Sequence, residues 1–202
     1  MNEAERHPLK PFLPEGARLL MLGSFPPQRK RWVMEFFFPN FQNDMWRIMG
    51  LCFHGDKQHF VDTEAHTYRL RLIKEMLREK GIALYDTATA VVRTKDNASD
   101  KDLLVVEATD LQALIDRLPQ CCAVCATGQK AAELIAAHFN VKVPPTGTGI
   151  PVTHQGRTLT FFRMPSSSRA YPLSVEKKAE AYNSMFKSLG ILQTTQPQRY
   201  KK

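Results

Sequence analysis

The segment that most constrains the fold is residues 19–25, an apolar run, LLMLGSF, that ends on small residues and one phenylalanine. An apolar run of this length without alternation is typical of a strand buried on both faces of a parallel sheet. Small residues directly after such a strand allow a tight loop. Open α/β sheets bind their ligands at the carboxyl ends of their strands. The segment therefore predicts an α/β fold with a ligand site just after this strand.

The rest of the chain alternates strand-like and helix-like patterns. Strands are expected at about 17–23, 82–90, 121–126 and 158–164, and helices near 43, at 68–80, 110–118 and 128–139, and from 174 onward. This alternation indicates a mostly parallel sheet covered on both faces. We therefore predict a three-layer α/β/α sandwich with a central, mostly parallel four-stranded sheet. Residues 144–151, PPTGTGIP, are expected to be a turn-rich connection.

Length and composition favour one globular domain. Of the 202 residues, 43% are hydrophobic and 24% are charged, which excludes a disordered or fibrous chain. We expect a single domain over 1–192 and a basic, disordered tail over 193–202. An apolar run of about 18 residues is lacking, so no spanning helix is expected. The first residues form no apolar signal segment, so secretion is not expected.

Two polar segments stand beside the predicted strands. Residues 39–46, PNFQNDMW, place Asn40 and Asn43 just before a helix. Residues 165–171, PSSSRAY, follow the last strand, and their hydroxyl and backbone N–H groups suit contact with phosphate. Two simpler interpretations stay open. Asn43 can be a helix N-cap, and the serine-rich segment can be an ordinary solvated loop.

Taken in order, three segments resemble motifs of the uracil-DNA glycosylase superfamily, and most closely those of its hypoxanthine-type (deoxyinosine) branch. They are GSFPP (23–27), NFQNDMW (40–46) and MPSSSRAY (164–171). Members of the branch carry GSFPG, then HPRN or NPRN followed by a spacer residue and FW, and later LPSTSPAN. The resemblance covers roughly residues 15–190. Intermediate segments that also fit are 83–93, 126–135 and the residues Asn97, Ser99 and Asp100.

The chain departs from these motifs at several positions. The departures are Pro27 for Gly, Phe41 and Gln42 for Pro and Arg, Met45 for Phe, and Arg169 and Tyr171 for Pro and Asn. Asn43 and Trp46 match the branch. The departures bear on which damaged base is accepted more than on the fold.

The resemblance implies a monofunctional, metal-independent DNA glycosylase of base-excision repair. Such an enzyme hydrolyses the N-glycosidic bond of a deaminated base, uracil or hypoxanthine, after the base has been extruded from the duplex. Asn43 matches the asparagine at the expected catalytic position, where its amide oxygen can accept a hydrogen bond from the attacking water. Asn40 is a second candidate for catalysis or a contact to the base edge.

The remaining site residues follow from the same motifs. Gly23 and Ser24 are expected to let the backbone approach the base. Phe25 and Trp46 are offered as faces on which the base stacks, with core packing as the alternative for Trp46. Asp86 and Asp100 are alternative acids, although Asp86 can instead shape the end of the second strand.

The last motif is expected to contact DNA. Its candidate residues are Ser166, Ser167 and Ser168 for the flanking phosphates, and Arg169 or Tyr171 to fill the gap that the extruded nucleotide leaves. Tyr171 can alternatively be a surface aromatic ahead of Pro172. The net charge of +8 and the pI of about 9.4 are compatible with a polyanionic partner.

Neither a metal nor another cofactor is expected. Some members of the wider superfamily hold an iron–sulfur cluster with four cysteines, and this chain has Cys52, Cys121, Cys122 and Cys125. On a strand, Cys121 and Cys122 would face opposite sides of the sheet, and the spacing is not a common zinc pattern. We interpret the cysteines as core thiols in a reducing compartment. The six histidines are scattered.

The expected partner is DNA that contains a damaged base. We expect a monomeric, cytoplasmic protein associated with the nucleoid and without contact to a membrane. Two other functions remain open. One is a catalytically inactive protein that binds or senses damaged DNA on the same fold. The other is a nucleotide-binding α/β enzyme that acts on free nucleosides, although the chain lacks the GxxxxGK[ST] phosphate loop.

Overall fold

A computed structural model of the protein describes residues 3–95 and 102–192. The strands are β1 (Glu5–Arg6), β2 (Leu19–Gly23), β3 (Val61–Asp62), β4 (Thr67–Tyr68), β5 (Ile82–Asp86), β6 (Ala88–Arg93), β7 (Leu103–Ala108), β8 (Ala123–Ala126), β9 (Thr148–His154) and β10 (Arg157–Arg163). The helices are α1 (Met45–His54), α2 (Leu70–Lys80), α3 (Leu111–Asp116), α4 (Gln129–Phe139) and α5 (Val175–Ser188), and Arg29–Arg31 form a 3-10 turn.

The central sheet has the strand order β5-β2-β8-β10-β9. The first four strands are parallel, and β9 pairs antiparallel with β10 at the edge. Strands β2 and β8 are buried at every residue, as their uniformly apolar sequences require. The predicted α/β/α class with a mostly parallel sheet is confirmed, and the sheet has five strands where four were expected.

The additional strand lies in the segment predicted to be a turn-rich connection. That prediction is wrong for the part that β9 covers, where glycines and Pro151 hide the strand pattern. Pro151 pairs with Thr160, and it is tolerated because β9 is an edge strand.

The predicted strand over 82–90 is divided. Strand β5 ends at Asp86 in the central sheet, whereas β6 belongs to a second, antiparallel sheet with the order β1-β6-β7. The division falls at Thr87, whose backbone N–H (2.9 Å) and hydroxyl (3.0 Å) both donate to the Gly23 carbonyl oxygen. The polar loop predicted over 93–101 lies largely outside the described residues, as do Asn97, Ser99, Asp100 and the tail 193–202.

The helix ends follow local chemistry. Gly81, with a φ of 64°, ends α2 in the left-handed conformation that favours glycine. At the start of α5, the Ser174 side chain accepts the Lys177 backbone N–H at 3.2 Å. No helix within 3–95 and 102–192 is both long enough and apolar enough to span a bilayer.

The cysteines are unpaired thiols. Three are buried and Cys122 is half-buried. Burial raises the pKa of the Cys52 thiol to about 12 and that of Cys121 to about 11. It raises the pKa of Cys125 as well. The buried thiols are therefore protonated at neutral pH and pack as small apolar side chains.

Candidate active-site cleft

The three motif segments, which are far apart in the sequence, line one cleft of about 930 Å³. They follow β2, precede α1 and follow β10. The cleft therefore lies at the carboxyl ends of the parallel strands, where an open α/β sheet is expected to bind its ligand.

One wall is built by the loop after β2. A Cβ atom at Gly23 would lie 2.3 Å from Asp86 Oδ1, so only glycine fits beside this carboxylate. Ser24 and Phe25 follow and also line the cleft. Arg93 holds this loop, because its Nη2 donates to the Pro26 carbonyl oxygen at 2.6 Å and its guanidinium lies 5.7 Å from the Phe25 ring centroid.

The candidate catalytic residue, Asn43, lines the cleft and is half-buried. Its Oδ1 accepts the Met45 backbone N–H at 2.9 Å, so the side chain does stabilise the start of α1. The carbonyl oxygen of Asn43 accepts from Tyr68 Oη at 2.9 Å and from Arg47 Nη1 at 3.1 Å. The side-chain amide oxygen has two lone pairs, so its hydrogen bond to the Met45 N–H leaves one acceptor direction for water.

Asn40 also lines the cleft, but its side chain serves the local turn. Its Oδ1 accepts the Gln42 backbone N–H at 3.0 Å, and its carbonyl oxygen accepts the Asn43 N–H at 2.8 Å. These bonds fix the loop that presents Asn43.

The serine loop after β10 lies directly against this segment. Asn43 and Ser168 form an isolated antiparallel bridge, and the Asp44 backbone N–H donates to the Ser167 carbonyl oxygen at 2.8 Å. Ser166, Ser167 and Ser168 all line the cleft, although Ser167 is buried and Ser168 is exposed.

Arg169 and Tyr171 extend the serine loop at the same cleft. The Arg169 side chain is 55% exposed, and its Nε lies 3.6 Å from Asp44 Oδ1. Tyr171 is half-buried. Both residues therefore lie beside the serine loop at the wall of the cleft.

Trp46 does not line the cleft, and its expected role as a stacking face is corrected. It is fully buried, its Nε1 donates to the Phe37 carbonyl oxygen at 3.2 Å, and its ring stacks on Phe36 with centroids 6.2 Å apart. The inward face of α1 carries it into the core. Phe38 lies edge-on to Trp46 and does line the cleft.

A buried carboxylate–imidazole pair lies at the end of β5. Asp86 lines the cleft, and its Oδ2 lies 2.8 Å from His7 Nε2, while His7 Nδ1 lies 2.9 Å from the Leu9 carbonyl oxygen. From the sequence, Asp86 was named as an alternative acid or as a residue that shapes the end of the second strand, and His7 was missed. Nothing local distinguishes His7, which reaches the site because β1 pairs with β6.

The cleft is predominantly basic. Five cationic side chains line it, against two carboxylates, which are Asp86 and Glu133. The cations are Arg31, Arg93, Lys130, Arg163 and Arg169. Within the described part of the chain, the His, Cys, Asp and Glu side chains form no group of three that could hold a metal ion.

The fold and the cleft define the class: an open α/β protein whose ligand site lies at the carboxyl ends of its parallel strands. No family model matches the sequence. A curated relative, the hypoxanthine DNA glycosylase of Methanosarcina acetivorans, is 26% identical over 141 residues, which are 68% of this chain and 82% of the relative.

The fold is shared with a solved structure. A solution NMR structure from Methanosarcina acetivorans, described as a candidate uracil DNA glycosylase, matches with a TM-score of 0.61 at 21% identity. The match covers 93% of this chain and 99% of that one. At this identity the likeness to the solved structure shows a shared fold, and the curated relative shows similarity in sequence over about two thirds of the chain.

Proposed function

We propose that this protein is a DNA glycosylase that removes a deaminated base, hypoxanthine or uracil, by hydrolysing its N-glycosidic bond without a metal ion. The observation that carries the proposal is the meeting of the three motif segments in one basic cleft, with Asn43 bridged to Ser168. The name of the curated relative supports the same reaction class.

The cleft offers the groups that this reaction requires. A target base inside a duplex must be extruded, and Phe25 and Phe38 give its ring an apolar surface at the cleft wall. Cleavage of the bond builds an oxocarbenium-like sugar, which water then attacks. Asn43 is assigned to orient this water through its amide oxygen, because a dissociative reaction needs orientation more than strong basicity.

Asp86 adds a fixed carboxylate to the same cleft. Its contact with His7 holds one oxygen in place, and Gly23 allows the other oxygen to lie against the loop after β2. We assign Asp86 to electrostatic stabilisation of positive charge that develops on the sugar.

The serine loop and its extension are assigned to DNA. Ser166 and Ser168 present hydroxyl groups and the loop presents backbone N–H groups, which suit the phosphates that flank the extruded nucleotide. Arg169 or Tyr171 fills the gap in the base stack.

The test is a strand-cleavage gel. Oligonucleotides with a single uracil, hypoxanthine or xanthine are incubated with protein in EDTA and then treated with alkali, which breaks the strand at abasic sites. Cleavage of a modified strand by the wild type, but not by Asn43→Ala, is expected.

Three results would contradict the proposal. Binding to the modified DNA without excision would indicate an inactive damage-binding protein. Release of base from free nucleosides, but not from oligonucleotides, would indicate a nucleoside enzyme. Activity that EDTA abolishes and zinc or magnesium restores would overturn the metal-independent mechanism.

A further inference from the structure

A buried ion pair joins the start of α1 to the serine loop. The Lys178 ammonium on α5 donates to Asp44 Oδ2 at 2.9 Å and to the Ser168 carbonyl oxygen at 2.8 Å. The Lys178 side chain is 0% exposed and that of Asp44 is 4% exposed. Lysine is among the residues least often fully buried, so the position of this one calls for a physical reason.

The two acceptors of Lys178 belong to the two segments that meet at Asn43. Asp44 is the residue that follows Asn43, and it occupies the spacer position of the second motif. Ser168 is the residue that bridges to Asn43 from the last motif. One ammonium group therefore contacts both neighbours of the candidate catalytic side chain, from a third element.

We propose that Lys178 is a positioning residue for base excision, which fixes Asn43 against the serine loop through Asp44 and the Ser168 carbonyl. The inference rests on the proposed function. Lys178 does not line the cleft, and its full burial prevents contact with DNA. Its effect on excision is therefore exerted through the geometry of Asn43.

A contribution to stability alone does not explain why this ion pair is buried. A buried ion pair loses so much hydration that apolar residues of similar volume often replace it at no loss of stability. Orientation is a better account, because displacement of a reacting group by about 1 Å can lower a rate about 100-fold. Asp44 Oδ1 has no hydrogen bond within the described residues, and Arg169 lies 3.6 Å from it, so the hydrogen-bonded lysine defines the carboxylate's position.

The decisive variant removes both charges at once. Lys178→Met alone leaves a buried carboxylate without its ammonium and is expected to lower the melting temperature. The double variant Asp44→Leu with Lys178→Met is expected to melt near the wild type. Its single-turnover excision rate is nevertheless expected to fall about tenfold or more, while its Kd for DNA changes less than about twofold.

Two further variants serve as matched controls. Lys177→Met removes the exposed neighbour that pairs with Glu180 on the surface of α5, and it is expected to change neither rate nor melting. Asp44→Asn keeps an acceptor for the ammonium and is expected to lose less activity than the double variant.

A second readout does not depend on catalysis. The Asp44 amide hydrogen, which binds the Ser167 carbonyl, is expected to exchange with solvent faster in the double variant, and in Lys178→Met if the double variant does not fold. A wild-type excision rate in the folded double variant would overturn the inference, and so would an unchanged exchange rate of the Asp44 amide. If the wild type excises no base, the proposed function fails, and the exchange rate of Asp44 still decides whether Lys178 holds this segment.

Discussion

At the scale of single residues, the Asn43 side chain has two roles to separate: a hydrogen bond to the start of α1 and a proposed part in catalysis. Its Oδ1 accepts the Met45 N–H, one of the N–H groups that an α-helix leaves unpaired at its start. The interpretation of Asn43 as the helix N-cap is nevertheless wrong, because the N-cap position is Asp44 and Asn43 contacts the helix start from one residue before it. The catalytic assignment remains a prediction that variants at this position can separate from the contact with the helix start.

Asn43→Ala is expected to remove detectable excision and to lower the free energy of unfolding by about 1 kcal/mol, because both the water contact and the hydrogen bond to the Met45 N–H are lost. Asn43→Asp keeps an acceptor for Met45 and for water, so it is expected to retain stability and part of the activity. Single-turnover excision and thermal melting are measured together. Normal excision by Asn43→Ala with a lowered melting temperature would restrict Asn43 to its contact with the helix start.

Gly23 offers a second test at residue scale. Gly23→Ala would place a Cβ atom 2.3 Å from Asp86 Oδ1. Because His7 holds the other oxygen of this carboxylate, we expect a loss of about 1–3 kcal/mol of stability together with slower excision. Gly128→Ala is the matched control, since it lines the same cleft and its Cβ would lie 3.8 Å from Ser166 Oγ, an ordinary contact. Equal melting of the two variants would refute this account of Gly23.

At the scale of elements, the sequence predicts those strands and helix ends that a local pattern of residues marks. Buried parallel strands read as apolar runs, and Gly81 and Ser174 mark helix ends through their own backbone and side-chain chemistry. The long-range placements were not predictable in this way. Strand β9 is stabilised by pairing with β10, and the chain leaves the central sheet at Thr87 because of a bond to Gly23. His7 depends likewise on pairing between distant strands.

The same distinction between local patterns and long-range packing applies to the residues of the candidate site. The three motif segments and most of their predicted residues meet in the cleft, because the carboxyl ends of parallel strands share one edge. Trp46 was misplaced because its direction depends on which face of α1 packs on the core. Lys178 was missed, since a lysine in a charged helix gives no local signal of burial, and only the packing of α5 on α1 brings it to Asp44.

The different burial of the four cysteines predicts which thiols react in the native protein. Burial and raised pKa values hold Cys52, Cys121 and Cys125 as unreactive thiols, whereas Cys122 is half-buried. At pH 8 a thiol reagent is therefore expected to modify about one cysteine rapidly in the native protein and all four after denaturation. Liquid chromatography with mass spectrometry identifies the site. Rapid modification of Cys125 in the native state would contradict the placement of this strand.

At the scale of the whole molecule, the excess of positive charge extends into the cleft. The chain has a formal net charge of +8, and the cleft is lined by more cations than carboxylates. Such a field attracts a polyanion and raises its local concentration, but by itself it selects no sequence and no base. Under the proposed function, selection of the damaged base is therefore assigned to the interior of the cleft.

DNA affinity is therefore expected to fall steeply with salt, with log Kd rising linearly with log salt as bound cations leave the DNA. Arg169→Gln is expected to reduce this slope by about 1, because its largely exposed side chain lies at the cleft. Lys187→Gln also removes one positive charge, but near the carboxyl end of α5, about 20 Å along the helix from its start. It is expected to leave the slope unchanged. Fluorescence anisotropy with a labelled duplex at several salt concentrations gives both slopes. A flat salt response in the wild type would exclude the cleft as a DNA-binding surface, and equal slopes in the two variants would remove Arg169 from it.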